Sequence, residues 1–376
     1  MSVKIVEVSS RRQLHSFIQF GFSLYKGNRF AVPDLYGDMV RLFTAKGNAA
    51  LEFCDLVLYL AYRDGRIAGR VAGIINRHAN TKWQRDVVRF GWIDFVDDRE
   101  VSAALIDAVA GWGREKGMTE IEGPFGFTDF DPEGMLVDGF DQLGTMATIY
   151  NYPYYPEHIK ALGFERSAEW VEWSIPFDVI PEKMGRLADV VLKRYNLHVP
   201  VFGNKSDEAK RYAHKLFELV NLAYSPLYGY SEFSPKQIDD FARRYVPLID
   251  TRLVTFILDG QGELVAAGMV LPSLSKALQK AKGHLLPLGW WHLLKVLKVR
   301  PDETVDLMFL AIRPEYQNKG LNAVMFNKMI PVARGMGMRV AESNPELVSN
   351  SKMQAHWQYF EGAHIHKRRC AFRKDL

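Results

Sequence analysis

Cysteine is scarce in this sequence of 376 residues, which contains only Cys54 and Cys370. The two lie far apart and form no metal-ligand spacing, which excludes a disulfide-rich scaffold and predicts free thiols in a reducing compartment. Long apolar runs are also missing, since no stretch approaches the roughly 20 residues of a membrane-spanning helix. The N-terminal Met-Ser-Val-Lys-Ile-Val-Glu has no apolar signal core. These absences predict a cytoplasmic protein with no transmembrane segment and no metal site.

A strong charge of one sign is absent as well. Lys and Arg together number 48 and Asp and Glu 44, which gives a formal net charge of +4. So mild a balance argues against nucleic-acid binding and fits an enzyme that takes an anionic cofactor. Hydrophobic residues at 48% and charged residues at 24% are typical of a globular protein, and the length predicts two domains. The oligomeric state is left open.

One order of predicted elements occurs twice along the chain. The first copy reads as strand 3–8, helix 10–25, hairpin 56–62 with 67–75, strand 90–95, helix 100–116, strand 118–122, helix 154–164 and strand 170–175. The second reads as helix 206–224, hairpin 253–258 with 263–270, strand 305–312, helix 321–336, strand 338–341, helix 350–361 and a last strand near Ala371. Both hairpins carry an Asp-Gly turn. This repetition indicates duplicated architecture with a seam around 177–182.

The most informative stretch is the strand–loop–helix unit of the second copy. Its strand, 305–312, is stopped by Pro314, and a helical pattern begins at Leu321. Gly320 stands between them, where main-chain N–H groups converge at the positive end of the helix dipole. Such a turn suits a pyrophosphate. The alternative is a tight turn that simply needs glycine.

Ala311-Ile-Arg-Pro-Glu-Tyr-Gln-x-x-Gly320 resembles the acetyl-CoA signature of the GNAT acyltransferases. Gln317 and Gly320 match that signature, whereas Asn322 stands where the family usually has Gly or Ala. The resemblance implies an α/β (α+β) fold of two tandem GNAT-like domains, each with a mixed, mostly antiparallel sheet flanked by helices. The expected domains are 1–178, without the signature, and 179–376, with it.

The resemblance also implies that acetyl-CoA, or another acyl-CoA, binds once per chain, in the second copy. The cofactor-binding positions expected are Ile312, Gln317, Asn318, Lys319, Gly320, Leu321, Asn322 and Asn350. Lys319 is either a phosphate contact or a solvated loop lysine. In the first copy, Val96-Asp-Asp-Arg-Glu100 precedes the helix instead, and paired carboxylates there repel a pyrophosphate.

Three residues are candidates for proton transfer. Asp306 lies inside an apolar strand, where it is either a general base or a structural carboxylate bonded to neighbouring main chain. Glu342, at the end of the next strand, is the second candidate for the base. The family's general acid is a tyrosine in the last helix. The register places Gln358 at that position, and a one-residue insertion would place Tyr359 there instead.

Two further stretches are candidates for acceptor binding. The first, 150–156, is rich in aromatic residues and supplies Tyr152, Tyr154 and Tyr155 for a cationic amine, or else it is a rigid packed linker. An acidic loop upstream, with Asp129, Asp131 and Glu133, either attracts an amine or stays solvated. The second, 274–299, is a basic aromatic insert that fits a membrane surface, an acyl carrier protein or a lid over the acceptor channel.

The sequence therefore predicts a CoA-dependent N-acyltransferase, in the first instance an N-acetyltransferase, acting by direct transfer on an amine of a small molecule or peptide. One alternative is an N-acyl synthase that takes its acyl group from acyl carrier protein. Another is a non-catalytic GNAT-derived binding protein.

Overall fold

The computed structural model describes residues 2–179, 182–200, 207–246 and 249–376. The chain divides into two compact units, each built from separate segments. Unit 1 comprises Met1–Val171, Ser275–His292 and His366–Leu376, and unit 2 comprises Glu172–Leu274 and Leu293–Ile365. The predicted domains, 1–178 and 179–376, stay a prediction about the sequence repeat. The compact units exchange segments across that boundary.

The described strands and helices follow the chain in this order. The strands are β1 (Lys4–Glu7), β2 (Cys54–Arg63), β3 (Arg66–Asn76), β4 (Val87–Phe95), β5 (Glu120–Gly123), β6 (Met135–Asp138), β7 (Glu165–Pro176), β8 (Val254–Leu258), β9 (Leu264–Pro272), β10 (Thr304–Ile312), β11 (Val340–Glu342), β12 (Glu346–Leu347) and β13 (His364–Asp375). The helices are α1 (Arg11–Leu24), α2 (Tyr36–Leu42), α3 (Arg77–Trp83), α4 (Arg99–Glu115), α5 (Tyr154–Ala161), α6 (Glu182–Arg194), α7 (Asp207–Tyr224), α8 (Pro235–Tyr245), α9 (Ser275–Ala281), α10 (Gly289–Lys298), α11 (Leu321–Gly335) and α12 (Ser351–Gln354).

The sheet of unit 1 runs in the order β1, β2, β3, β4, β5, β13, with β6 also paired to β13. Its pairs are antiparallel except β4 with β5. Asp64 and Gly65 turn the β2–β3 hairpin with φ of 52° and 76°, as the Asp-Gly signal predicts. Helix α4 covers the sheet with Val101, Leu105 and Val109, each fully buried.

The sheet of unit 2 contains β11, β10, β9 and β8, joined at the β11 edge by residues 174–176 of β7. Only β10 and β11 are parallel among these pairs. Helix α11 lies on one face and fills the core with Val324, Met325 and Met329. The predicted mixed, mostly antiparallel sheets flanked by helices are thus confirmed.

The closing strands differ from the expectation that each copy keeps its own. The last strand, β13, belongs from His366 onward to unit 1, where Phe372 pairs with Gly123. The end of β7 belongs to unit 2, where Ile175 pairs with Ala341. A strand's own pattern specifies which face it buries but not which neighbour it joins, so local sequence does not reveal this exchange.

The helix predicted over 350–361 is much shorter. Helix α12 ends at Gln354, and a 3-10 turn follows at Trp357–Tyr359. Helices α2, α3, α6, α8, α9 and α10 were not predicted by the sequence analysis. Residues 180 and 181, within the predicted seam, and Ser206, the predicted start of a helix, lie outside the described residues. Within the described part, no helix combines the length and apolar composition needed to cross a bilayer.

Candidate active site

Strands β10 and β11 part from each other in unit 2. They pair over only three residues, ending at Asp306 and Glu342, although β10 continues to Ile312. A bulge between Leu307 and Phe309, on the β9 side, bends β10 where the pairing stops. Beyond it, Nδ2 of Asn344 donates to the Met308 carbonyl oxygen over 2.9 Å. The result is an opening between two parallel strands, bordered by main chain of β10.

Unit 1 contains the same arrangement in closed form. Strands β4 and β5 also pair over three residues, and beyond them the Phe125 N–H donates to the Phe90 oxygen over 2.9 Å. Counted from the paired residues, Phe90 and Phe125 correspond to Leu307 and Pro345. Proline has no N–H, so the bond that closes unit 1 cannot form in unit 2.

The loop between β10 and α11 exposes main-chain donors. Asn318 and Gly320 are left-handed, with φ of 61° and 82°, and Gly320 is the N-cap of α11 without any side-chain cap. Within the described residues, the N–H groups of the five successive positions 318–322 have no hydrogen-bond acceptor. Consecutive amides at a helix N-terminus form an anion cradle.

Side chains of helix α6 pack against the loop that forms this cradle. A Cβ on Gly320 would lie 3.1 Å from Cγ2 of Val191, and the left-handed φ disfavours any side chain. Nζ of Lys319 lies 5.0 Å from the ring centre of Tyr195 and 4.9 Å from that of Tyr316. These cation–π contacts place the Lys319 charge beside the cradle. Helix α6 was not predicted, although Met184, Leu187, Ala188 and Val191 have helical spacing.

The cofactor-binding positions predicted at the two ends of the loop have different environments. Nε2 of Gln317 donates back to the Ile312 oxygen over 3.2 Å, which ties the loop to the end of β10. Nδ2 of Asn322 lies 3.0 Å from Nε2 of His356. Nδ1 of His356 is 2.8 Å from the Lys352 oxygen, so Nδ1 carries the proton and Nε2 accepts. Oδ1 of Asn322 is buried and has no partner among the described residues.

We compared the chain with known proteins to find which folds have this geometry. No family model matches the chain. Over its full length it superposes on 98% of a tandem GNAT protein from the clavulanic acid biosynthesis pathway, with a TM-score of 0.57 and 13% identity. A probable N-acyltransferase from Enterococcus faecalis V583 matches with a TM-score of 0.52 and 8% identity, over 100% of this chain and 73% of that one.

The chain has the tandem GNAT fold. The GNAT resemblance predicted from the sequence is confirmed at this level. Two curated proteins are similar in sequence. Bacterial ceramide synthase of Caulobacter vibrioides (strain NA1000 / CB15N) is 25% identical over 92% of this chain and 89% of its own length. Protein YghO of Escherichia coli (strain K12) is 25% identical over 86% and 82%.

Within this GNAT fold, the two predicted proton acceptors lie side by side. Asp306 and Glu342 are register partners on β10 and β11, and they are 2% and 8% exposed. Val305 and Ala341 pack in the α11 core, so the alternation of strand side chains places both carboxyl groups on the opposite face. The structure therefore brings this pair together at the root of the opening.

A third carboxyl group, which the sequence analysis missed, follows β11. Both oxygens of Glu346 accept from Nε1 of Trp357, at 2.9 and 3.1 Å. Burial raises the pKa of Glu346 to about 8, and this hydrogen bond opposes the shift only in part. Glu346 lies in the two-residue strand β12, which is too short to show a periodic pattern. Its only sequence signal is a carboxyl group just after a strand that borders the opening.

Tyr224 is a second missed residue, at the end of α7. Its hydroxyl donates to the Leu310 oxygen over 3.2 Å, on the part of β10 that lies beyond the parting point. Burial and, to a smaller extent, the nearby Glu346 charge raise the pKa of Tyr224 to about 12. The hydroxyl therefore keeps its proton at neutral pH. The opening thus has a protonated hydroxyl and a carboxyl that titrates near neutrality.

Tyr359 and Asn350 are not brought into this group. Tyr359 is 66% exposed at the end of the 3-10 turn, whereas Trp357 is the residue that enters the core. Asn350 is exposed and caps α12, with Oδ1 accepting from the Met353 N–H over 3.4 Å. A catalytic role for Tyr359 and a cofactor contact for Asn350 stay predictions.

The predicted acceptor tyrosines serve packing in unit 1. Tyr155 is fully buried and accepts from the Phe95 N–H over 3.0 Å, while Tyr154 donates to the Phe95 oxygen over 2.6 Å. Tyr152 donates to the Leu24 oxygen over 3.2 Å. Tyr155 thus has no surface to offer an acceptor, and an acceptor role for Tyr152 and Tyr154 stays a prediction. In the acidic loop, Asp131 accepts from the Thr128 N–H over 2.9 Å and thereby stabilises its own turn.

Proposed function

We propose that this chain is a CoA-dependent N-acyltransferase that moves an acyl group directly from acyl-CoA to an amine. The observation that carries the proposal is the run of partnerless N–H groups at 318–322, next to the opening between β10 and β11. The cradle fits a pyrophosphate, and the edge of β10 beyond Asp306, which no longer pairs with β11, fits the amide-bearing arm of the cofactor.

Different side chains around the opening are proposed to accept the proton from the amine and to donate a proton to the leaving sulfur. When bound, acyl-CoA supplies the thioester, whose C–S bond breaks as the amine nitrogen forms the new C–N bond. The amine loses a proton, and Glu346, directly or through water, is the proposed acceptor. Asp306 and Glu342 stay proposed members of the same proton path. The Tyr224 hydroxyl is the proposed donor of the proton that the leaving sulfur takes up.

Acetyl transfer to a small-molecule or peptide amine is the first form of this proposal. A second form has an amphiphilic amine as acceptor and a long acyl chain as the transferred group. The observation that favours it is the similarity to a protein named bacterial ceramide synthase over 92% of this chain. Ceramide is an amide, so both forms use the same bond chemistry and the same residues.

Transfer from defined donors tests the proposal. The purified full chain is incubated with acetyl-CoA, palmitoyl-CoA or acyl carrier protein charged with palmitate, each with a panel of amines that includes a long-chain amino alcohol. Release of free thiol and the product mass are measured. Thiol release from a CoA thioester with matching amide formation is expected. Transfer from the carrier protein alone would instead identify an N-acyl synthase. CoA binding without transfer to any amine would identify a binding protein.

A further inference from the structure

The segment 285–299 exposes apolar side chains that soluble proteins usually bury. Of the thirteen large hydrophobic side chains that are exposed in the described part of the chain, seven lie here. Leu286 is 79% exposed, Leu288 67%, Trp290 46% and Trp291 47%. Single exposed hydrophobic residues are ordinary, but a contiguous cluster marks an interaction surface. The apolar patch consists of Leu285, Leu286, Leu288, Trp290, Trp291, Leu294 and Val299.

Helix α10 shows why this patch is unusual. A surface helix normally covers its apolar stripe and exposes polar residues. In α10 the half-covered positions include Leu293 and Leu297, yet the exposed face carries Trp290, Trp291 and Leu294 as well. Apolar residues therefore remain for a second partner after the helix has made its contacts within the chain.

The charge around the patch has one sign. No Asp or Glu occurs between Glu263 and Asp302, while six cations do. They are Lys276, Lys280, Lys282, Lys295, Lys298 and Arg300. Four of these, Lys280, Lys282, Lys295 and Arg300, are exposed and form no ion pair among the described residues. The partner of the patch must therefore combine apolar and anionic surface.

Hydrogen bonds and a ring contact anchor residues 279–284, immediately before the patch. In unit 1, Nε2 of Gln279 donates to the oxygens of Arg29 and Ala31 over 3.0 and 2.9 Å. The Tyr36 N–H donates to the Gly283 oxygen over 2.8 Å, and the ring of His284 stacks on Tyr36 at 5.5 Å. These contacts hold the chain immediately before the exposed leucines.

We propose that the apolar patch docks on a bilayer that contains anionic phospholipids, with α10 lying in the plane of the interface. Its ten residues extend roughly 15 Å, about half the hydrocarbon thickness, so the helix cannot span the membrane. Tryptophan at headgroup depth, leucine below it and lysine beside phosphate are the pattern of interfacial helices. An acidic protein surface without apolar side chains would neutralise the cations but leave Leu286 and Leu288 in water. This proposal does not depend on the acyl-transfer activity.

Vesicle sedimentation tests it with the full chain. Sucrose-loaded vesicles of phosphatidylcholine alone, or with 30 mol% phosphatidylglycerol (about a third of the lipid), are spun with the protein at low and high salt. The wild type is expected to sediment with the anionic vesicles, more weakly at high salt. Leu288→Glu and the pair Lys295→Glu with Arg300→Glu should each lower the partition coefficient by about tenfold or more.

Matched controls separate docking from misfolding and from general charge. Val190→Glu changes an exposed valine outside the patch, and Lys116→Glu an exposed lysine outside it. Both should sediment like the wild type, and all variants should keep the wild-type melting temperature. Equal sedimentation of wild type and Leu288→Glu would overturn the proposal. So would a wild type that binds no vesicle but forms a dimer, seen by light scattering, that Leu288→Glu dissociates, because the patch would then bind a second copy.

Discussion

At the scale of single residues, Gly320 is the most sharply constrained position of the cradle. Gly320→Asp should abolish the rise in melting temperature that acyl-CoA gives, because it places a carboxylate beside the pyrophosphate and strains the left-handed turn. Thermal unfolding with and without acetyl-CoA measures this. Gly262→Asp is the matched control, since Gly262 has φ of 81° in a hairpin turn with no atom within 4 Å of an added Cβ. Retained stabilisation in Gly320→Asp would contradict the site.

The raised pKa of Glu346 predicts that kcat depends on pH. A base with a pKa near 8 is increasingly deprotonated as the pH rises through 8, so kcat should rise through the same range. In Glu346→Gln the inflection should disappear, and kcat should fall by roughly 10²- to 10⁴-fold with KM for acyl-CoA unchanged. Glu361→Gln, at an exposed position of the same unit, should keep the wild-type profile. An unchanged inflection in Glu346→Gln would assign the titration to another group.

Asp306 gives a second kinetic prediction. If Asp306 belongs to the proton path, Asp306→Asn should lower kcat while the affinity for CoA and the melting temperature stay close to wild type, because asparagine keeps the shape of the side chain. Isothermal titration and steady-state rates measure the two quantities separately. A parallel loss of stability and CoA affinity would show that the carboxyl group is structural.

At the scale of elements, we expect Pro345 to keep the gap between β10 and β11 open because it has no N–H. At the equivalent position of unit 1, the Phe125 N–H closes the gap between β4 and β5. Pro345→Ala supplies an N–H that can donate to the Leu307 oxygen, as Phe125 donates to Phe90. The variant should therefore bind CoA more weakly, by about tenfold. The new hydrogen bond, worth roughly 1 kcal/mol, must break before CoA binds, and the closed gap leaves less room for the cofactor. Pro301→Ala, before β10, is the control. CoA affinity equal to wild type would show that the missing N–H does not maintain the opening.

Elements with a local cause were predictable from the sequence. The Asp-Gly turns at 64–65 and 259–260 specify their hairpins through left-handed or tight backbone geometry, and Pro314 with Gly320 delimits the loop before α11. The last helix was not predictable in length. Trp357 and Phe360, three residues apart, both enter the core, and that spacing fits a 3-10 turn and an α-helix alike, so the pattern does not reveal where the helix ends.

The candidate site was predictable where it depends on main chain. The cradle positions 318–322 follow from a glycine between strand and helix. Glu346 and Tyr224 could not be found in this way, because their relation to β10 depends on the tertiary packing of the short strand β12 and of a helix end. The predicted α-helical register of Tyr359 is replaced by a 3-10 turn in the structure, and its catalytic role stays a prediction.

At the scale of the whole molecule, the exchanged strands determine what can fold alone. A fragment 179–376 lacks residues 174–176, which pair with β11, and carries β13, which pairs with β5 in unit 1. A fragment 1–178 lacks β13, which pairs with β5, and carries residues 174–176, which pair with β11 in unit 2. Each fragment alone therefore exposes an unpaired sheet edge and should be insoluble or non-cooperative in thermal unfolding.

Co-expression of the two fragments should restore a soluble one-to-one complex, because each then supplies the strand that the other unit needs. Light scattering measures the mass, and circular dichroism measures the cooperativity of unfolding. Acetyl-CoA should raise the melting temperature of the complex as it does that of the intact chain. The matched control is a fragment 1–363 that ends before β13, which should fail to give a stable unit 1 even though it contains the whole loop 313–320. A fragment 179–376 that unfolds cooperatively by itself, with a CoA-dependent rise in melting temperature, would show that the exchanged strands are dispensable for the acyl-CoA site.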